Sequence, residues 1–198
     1  MSLAYAILAA LSCKESSGYD LAKRFDESVG YFWSATHQQI YRELRQLEDK
    51  SWIESHTIEQ SDRPNKKMFC LTPLGQQEMM DWIAQPSKSS KHKEEILVKL
   101  FAGGLVEPQL LQEELLRTRA SHQQQLQTYQ AIADQYFPDP EPLPFAIKCQ
   151  YLTLRQGIRH ETAWVEWCDE ALSALNLRGF HDALEAPHPK PLSQRRGA

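Results

Sequence analysis

The chain has 198 residues, is 41% hydrophobic and 24% charged, and carries a formal net charge of −4. That length supports a buried core in one domain or two small ones. An acidic balance, with a pI near 6.0, excludes a protein that coats nucleic acid through overall positive charge. A specific binder would need a local basic footprint.

In chain order, LAYAILAAL (from Leu3 to Leu11) predicts a compact apolar helix. The run is too short to span a bilayer and lacks the basic flank and cleavage site of a leader, so it is expected to open a cytoplasmic domain. Ser16-Ser17-Gly18 breaks it. Ser17 is placed to cap a second helix, GYDLAKRFDE, with Tyr19, Leu21, Ala22 and Phe25 inward and Gly30 at its end. Core packing and a hydroxyl bond to phosphate are both open to Tyr19. In SATHQQIYRELRQLEDKSW, residues 34–52, Ile40, Leu44 and Leu47 repeat as a core stripe. Thr36-x-x-Gln39 fits a capping box, and Ser34 is a rival cap that would start this third helix two residues earlier.

After Lys50 the period shortens. WIESHTIE and KKMFCLT are β-rich runs around QSDRPN, where Pro64-Asn65 signals a turn, so a two-stranded hairpin is expected. Thr72-Pro73 then opens a fourth helix, with threonine as N-cap and proline at its first position. Three helices, a hairpin and a helix make a winged-helix plan, in which the third helix lies in a major groove and the hairpin is the wing.

QPSKSSKHKEE has linker composition. Beyond it, EEILVKLFAG predicts a short helix closed by Gly103-Gly104, and Pro108 starts a long one. Leu111, Leu115, Thr118, His122, Leu126, Tyr129, Ala133 and Tyr136 keep a heptad-like rhythm, and four prolines from Pro138 to Pro144 break it. Ile147, Tyr151, Leu154, Ile158, Val165, Cys168, Leu172 and Leu175 repeat the rhythm in a last helix. Two such stripes are not expected to cover each other and also Trp164, Trp167 and Tyr151. A two-fold homodimer is therefore predicted, with Leu111, Leu115, Leu126, Tyr129, Tyr151, Leu154, Ile158, Val165 and Leu172 at its interface.

On the third helix Gln38, Arg42 and Arg45 fall opposite the core stripe. Glutamine matches adenine and arginine matches guanine on their major-groove edges; a solvated face paired to Glu43, Glu48 or Asp49 would look similar. The basic hairpin tip SDRPNKK, with Arg63, Lys66 and Lys67 against Asp62, favours DNA, because each neutralised phosphate releases counterions. Gln38 and Arg42 are the base-edge candidates, Arg45 suits the backbone, and Tyr41 flanks the face. Residues 1 to 85 hold nine Lys/Arg and twelve Asp/Glu, so the remaining acids must face away. Trp33, Trp164 and Trp167 either pack or stack on a planar effector. Cys13, Cys70, Cys149 and Cys168 are widely spaced, which predicts reduced thiols. No zinc spacing, nucleophile–base arrangement or phosphate loop stands out; neither a catalytic residue, a metal nor a cofactor is expected.

The segments LAYAILAAL, SGYDLAKRF, QQIYRELRQLEDKSWIE and KKMFCLTPLGQQEM resemble the PadR family of bacterial transcription regulators across residues 3 to 80. The wing departs from that family's pattern: Asp62 stands where glycine is typical, and Phe69 where tyrosine is. The proline corner and W-x-x-W helix are similar to the longer-tailed subgroup related to virulence activators. The resemblance implies a winged helix with C-terminal dimerisation helices. It also implies DNA binding by the helix of Gln38, Gln39, Tyr41 and Arg42 and by the wing of Arg63, Lys66 and Lys67.

The expected fold is thus mainly α: an N-terminal winged helix-turn-helix (1–85), a linker (86–95), an α-helical dimerisation domain with long coiled-coil-like helices (96–178) and a disordered tail (179–198). The expected function is a sequence-specific, homodimeric DNA-binding regulator, a repressor responsive to a small aromatic ligand, on a pseudo-palindromic duplex operator. The expected DNA contacts are Ser34, Thr36, Gln38, Gln39, Tyr41, Arg42, Arg45, Arg63, Lys66 and Lys67. The alternatives are a winged-helix module that binds protein, motivated by the acidic first domain, and an activator without a ligand.

Overall fold

A computed structural model of the chain describes residues 3–26, 35–59, 65–87, 93–139 and 141–175. The expected tail, with Trp33, Ser34 and Arg63, lies outside the described residues. The chain divides into two compact units, Met1–Lys91 and His92–Ala198.

The first unit is a winged helix. It runs α1 (Leu3–Cys13), β1 (Ser16–Ser17), α2 (Gly18–Asp26), α3 (His37–Asp49), β2 (Ile53–Ile58), β3 (Lys66–Leu71) and α4 (Pro73–Ile83). Its core gathers Ile7, Leu8 and Leu11 of α1, Leu21 and Ala22 of α2, and the Ile40, Leu44 and Leu47 stripe of α3. Tyr5 stacks on Trp82 with ring centroids 4.6 Å apart, which fixes α4 against α1.

β2 and β3 form the expected antiparallel hairpin, Ile53 facing Leu71 and Ile58 facing Lys66. The sheet differs from expectation in having a third strand. Ser16 and Ser17, read only as a helix break, pair with Phe69 and Met68 in the order β1-β3-β2. The two serines are buried, and buried backbone groups need partners, which the open edge of β3 supplies. Thr72 caps α4, its hydroxyl oxygen accepting from the Gly75 amide at 3.0 Å, with Pro73 at the first position. A Cβ on Gly75 would run into the Trp52 carbonyl, so glycine there lets α4 pack tightly on the turn between α3 and β2.

The second unit contains α5 (Glu95–Phe101), a 3-10 turn (Gly103–Leu105), α6 (Pro108–Tyr136) and α7 (Phe145–Leu175). α6 begins at Pro108 and ends just before Pro138, and α7 begins just after Pro144, at the breaks read from proline. α6 and α7 lie antiparallel: Gln112 bonds the Leu175 carbonyl, Arg119 grips Asp169 through bonds of 2.6 and 3.0 Å, and the Phe137 ring lies 5.3 Å from Tyr151. Lys99 of α5 and Arg117 of α6 bracket Glu114 and hold its carboxyl down at about 2.

Within one chain this hairpin buries much of the expected dimer interface. Leu111, Leu115, Leu126, Tyr129, Leu154 and Val165 are buried within one chain, and Tyr151, Ile158 and Leu172 are half-buried. The two stripes do cover each other, because antiparallel helices of nearly equal length present them face to face. α5 closes one end, Ile96 packing with Leu115 and Cys168. The large apolar side chains left exposed are different ones: Phe101 is 95%, Leu105 87%, Phe145 83% and Val98 68% exposed.

Among the described residues no helix is long and apolar enough to cross a membrane. No group of three or more His, Cys, Asp or Glu among them is arranged to hold a metal ion. Among the described residues none of the four cysteines forms a disulfide.

Candidate nucleic-acid interface

α3 begins at His37 because Thr36 is its cap. The Thr36 hydroxyl oxygen accepts from the Gln39 amide at 3.3 Å, and Gln39 Oε1 accepts from the Thr36 amide at 2.8 Å. Both side chains are therefore engaged at the helix start. Thr36 and Gln39, expected as DNA contacts, hold in place the turn that starts α3. Thr36→Ala should cost about 1 kcal/mol, the typical loss for an N-cap hydroxyl. Thermal unfolding checks this; an unchanged melting temperature would count against the cap.

The α3 stripe of Ile40, Leu44 and Leu47 is no more than 1% exposed, so the opposite face is presented outward. Gln38, Arg42 and Arg45 are exposed there. Among the described residues neither arginine has an ion-pair partner, so the rival reading of a face neutralised by Glu43, Glu48 or Asp49 does not describe this helix. Tyr41 is 42% exposed and leans toward the start of α2. A Cβ on Gly18 would sit 2.5 Å from its ring, so glycine is what admits Tyr41 beside the outward face of α3.

The wing approaches from the other side. A cleft of about 750 Å³ separates α2 and α3 from β3, with Tyr19, Tyr41, Arg45, Asn65, Lys66 and Lys67 among its walls. Tyr19 is exposed rather than in the core. The wing lysines are not free cations. Lys66 Nζ lies 2.6 Å from Asp20 Oδ2, and Lys67 Nζ lies 2.9 Å from Glu48 Oε2. Lys67 also sits over the Phe69 ring, 5.0 Å from its centroid, a cation–π placement. Ser55 of β2 donates to the other Glu48 oxygen, Oε1. The Ser55 hydroxyl first, and Lys67 next, hold the Glu48 carboxyl below its ordinary range.

Asp20 and Glu48 are the residues that the sequence did not single out for the wing. Their partners come from a strand 46 and 19 positions on, so no local spacing marks them. Asp20 is doubly engaged: it also accepts from the Ser17 hydroxyl at 2.9 Å, while its amide donates back to Ser17 Oγ at 3.1 Å.

The remaining candidates lie in the helical unit. Trp164 of α7 stacks face to face on His122 of α6, with centroids 4.8 Å apart and 2° between planes, and Trp167 meets Trp164 edge-on at 5.1 Å. His122 Nδ1 lies 2.6 Å from Glu161 Oε2. Both tryptophans pack against the buried Ile96–Leu115–Cys168 cluster. Here packing occupies the rings that the sequence left open to a ligand.

Comparison with known proteins agrees with this architecture. The model of the transcriptional regulator PadR-like family matches residues 7–81, and that of the virulence activator alpha C-terminal region matches residues 92–176. A probable transcriptional regulator of Mycobacterium tuberculosis, Rv1176c, is 40% identical over 185 residues, covering 88% of this chain and 98% of its own. The chain belongs to the PadR-like family of transcriptional regulators. The negative transcriptional regulator PadR of Bacillus subtilis is 33% identical over 178 residues, covering 88% of this chain and 97% of its own. Its crystal structure in complex with operator DNA aligns with a TM-score of 0.77 and 31% identity over 87% of this chain and 97% of that one. Its structure in complex with p-coumaric acid gives 0.70 and 30% over 88% and 98%. The PadR-like part and the helical part therefore sit in the same order here as in these relatives, and the chain is a transcriptional regulator.

Proposed function

We propose that this PadR-like regulator is a homodimeric repressor that reads a pseudo-palindromic DNA operator with α3. The observation that carries the reading is the exposed Gln38–Arg42–Arg45 face, which among the described residues has no ion-pair partner and whose Arg45 lines a cleft shared with the wing. Gln38 and Arg42 act on base edges; Arg45 acts on the backbone, with Tyr41 and Tyr19 beside it. The B. subtilis relative crystallised with operator DNA supports this, and its designation as a negative regulator supports repression.

A second copy doubles the small footprint and sets the half-site spacing. It meets this one through apolar side chains that the hairpin leaves exposed, Phe101 and Leu105 foremost, rather than through the buried stripes. The effector is a small aromatic acid, a reading supported by the relative bound to p-coumaric acid. On this reading the chain acts in the cytoplasm and does no catalysis.

The test is binding to duplex DNA over a salt series, with sedimentation of the same samples. A steep fall of log K with log salt is expected, from a protein that sediments as a dimer at micromolar concentration. Absence of binding even at low salt would favour the protein-binding module instead, and a monomer would remove the two-fold operator.

A further inference from the structure

Resting on that DNA-binding reading, we propose that Asp20 and Glu48 are specificity-determining residues. They hold the two wing-base lysines away from phosphate, so that non-operator DNA is bound weakly and the α3 face decides where the protein stays.

The argument starts from charge. Lys66 and Lys67 are the described cations of the wing, and each is already neutralised, by Asp20 at 2.6 Å and Glu48 at 2.9 Å. Sequence-independent affinity comes from cations that neutralise phosphates and release condensed counterions. A lysine that arrives with its own carboxylate adds no net charge and releases little. It contributes to affinity only if the pair is broken, and the abandoned carboxylate then faces the phosphates.

Both acids are held where they can do this. Asp20 is fixed at the start of α2 by its reciprocal bonds with Ser17. Glu48 is fixed in the last turn of α3 by Ser55 of β2 and Lys67 of β3, one on each oxygen. Lys67 is restrained a second time by the Phe69 ring. The α3 arginines of the same surface differ. Among the described residues Arg42 and Arg45 have no acid at ion-pair distance, though Glu43 and Asp49 share their helix. The acids are thus matched to the wing cations, which meet only backbone, and not to the helix cations, of which Arg42 is the one placed for a base edge.

The test uses the near-isosteric variants Asp20→Asn and Glu48→Gln in the full chain. Each amide keeps an oxygen that can accept from Ser17 or Ser55, and circular dichroism verifies folding. Binding is measured to random duplex and to an operator selected from a random library, over a salt series. The double variant should bind random duplex three- to tenfold more tightly. Its slope of log K against log salt should steepen by about 0.9 for each lysine released. The preference for operator over random duplex should fall.

Adding Lys66→Gln and Lys67→Gln to the double variant should return the slope to the starting value; failure to do so would overturn the assignment to these lysines. An unchanged slope in the double variant, or weaker binding to random duplex, would overturn the proposal while leaving the DNA reading intact. A wild-type chain that binds no duplex at low salt would overturn the DNA reading itself, and this proposal with it.

Discussion

Replacing Arg42 with alanine is expected to weaken operator binding about ten- to a hundredfold, corresponding to the 1–3 kcal/mol that a good bidentate base contact supplies. The loss should be confined to the operator and should relax the preference at one base pair per half-site, because an exposed α3 guanidinium with no acid partner among the described residues is free to meet a guanine edge. Binding to random duplex should change far less. The fold should not suffer, since Arg42 is exposed and lies opposite the Ile40–Leu44–Leu47 stripe. Competition titrations with single-base operator variants measure this. A uniform loss across all sequences would make Arg42 a backbone contact, and no loss would remove it from the site. Tyr41 provides a useful contrast. It sits on the same face but is seated against Gly18, so its replacement should disturb the α2–α3 approach as well as any contact it makes.

The second large effect concerns stability. His122→Leu should destabilise the helical unit by about 3 kcal/mol, the upper end for leaving a buried hydrogen-bonding group without its partner. Glu161 is 8% exposed and projects between α6 and α7. Without His122 its carboxyl loses the ring nitrogen that lies 2.6 Å from it. The same change removes the ring that stacks on Trp164. At this chain length such a loss lowers the melting temperature by about 6–12 °C. The double replacement His122→Leu with Glu161→Gln should recover much of it, because an amide carries no charge to strand. A single variant that melts within about 2 °C of the parent, on the same scale, would show that the pair is not what holds the hairpin at this level.

Most of the helical layout could be read in advance. The α3 stripe, the Thr36–Gln39 box, the Thr72-Pro73 start of α4 and the Pro108 start of α6 depend on residues three or four apart, and that range is what helical periodicity and capping encode. The hairpin followed from alternation and a turn. The same local signals put Gln38, Arg42 and Arg45 on one outward face. The third strand was not legible, because Ser16-Ser17 has no strand composition and pairs only because β3 passes beside it. The wing lysines were visible as charge, but not as paired charge.

The long helices divide the two kinds of information most clearly. Periodicity alone established that Leu111, Leu115, Leu126, Leu154 and Val165 must be covered by something apolar, since a stripe of that kind in water is costly. It carried nothing about whether the cover came from the same chain or from another, because a hydrophobic stripe is non-directional and accepts either. The tertiary structure decided for the same chain, and in doing so moved the apolar surface open to a partner to residues such as Phe101 and Leu105. It decided the wing for the same reason. Asp20 and Glu48 reach Lys66 and Lys67 through sheet register and helix packing, across separations that no local pattern records.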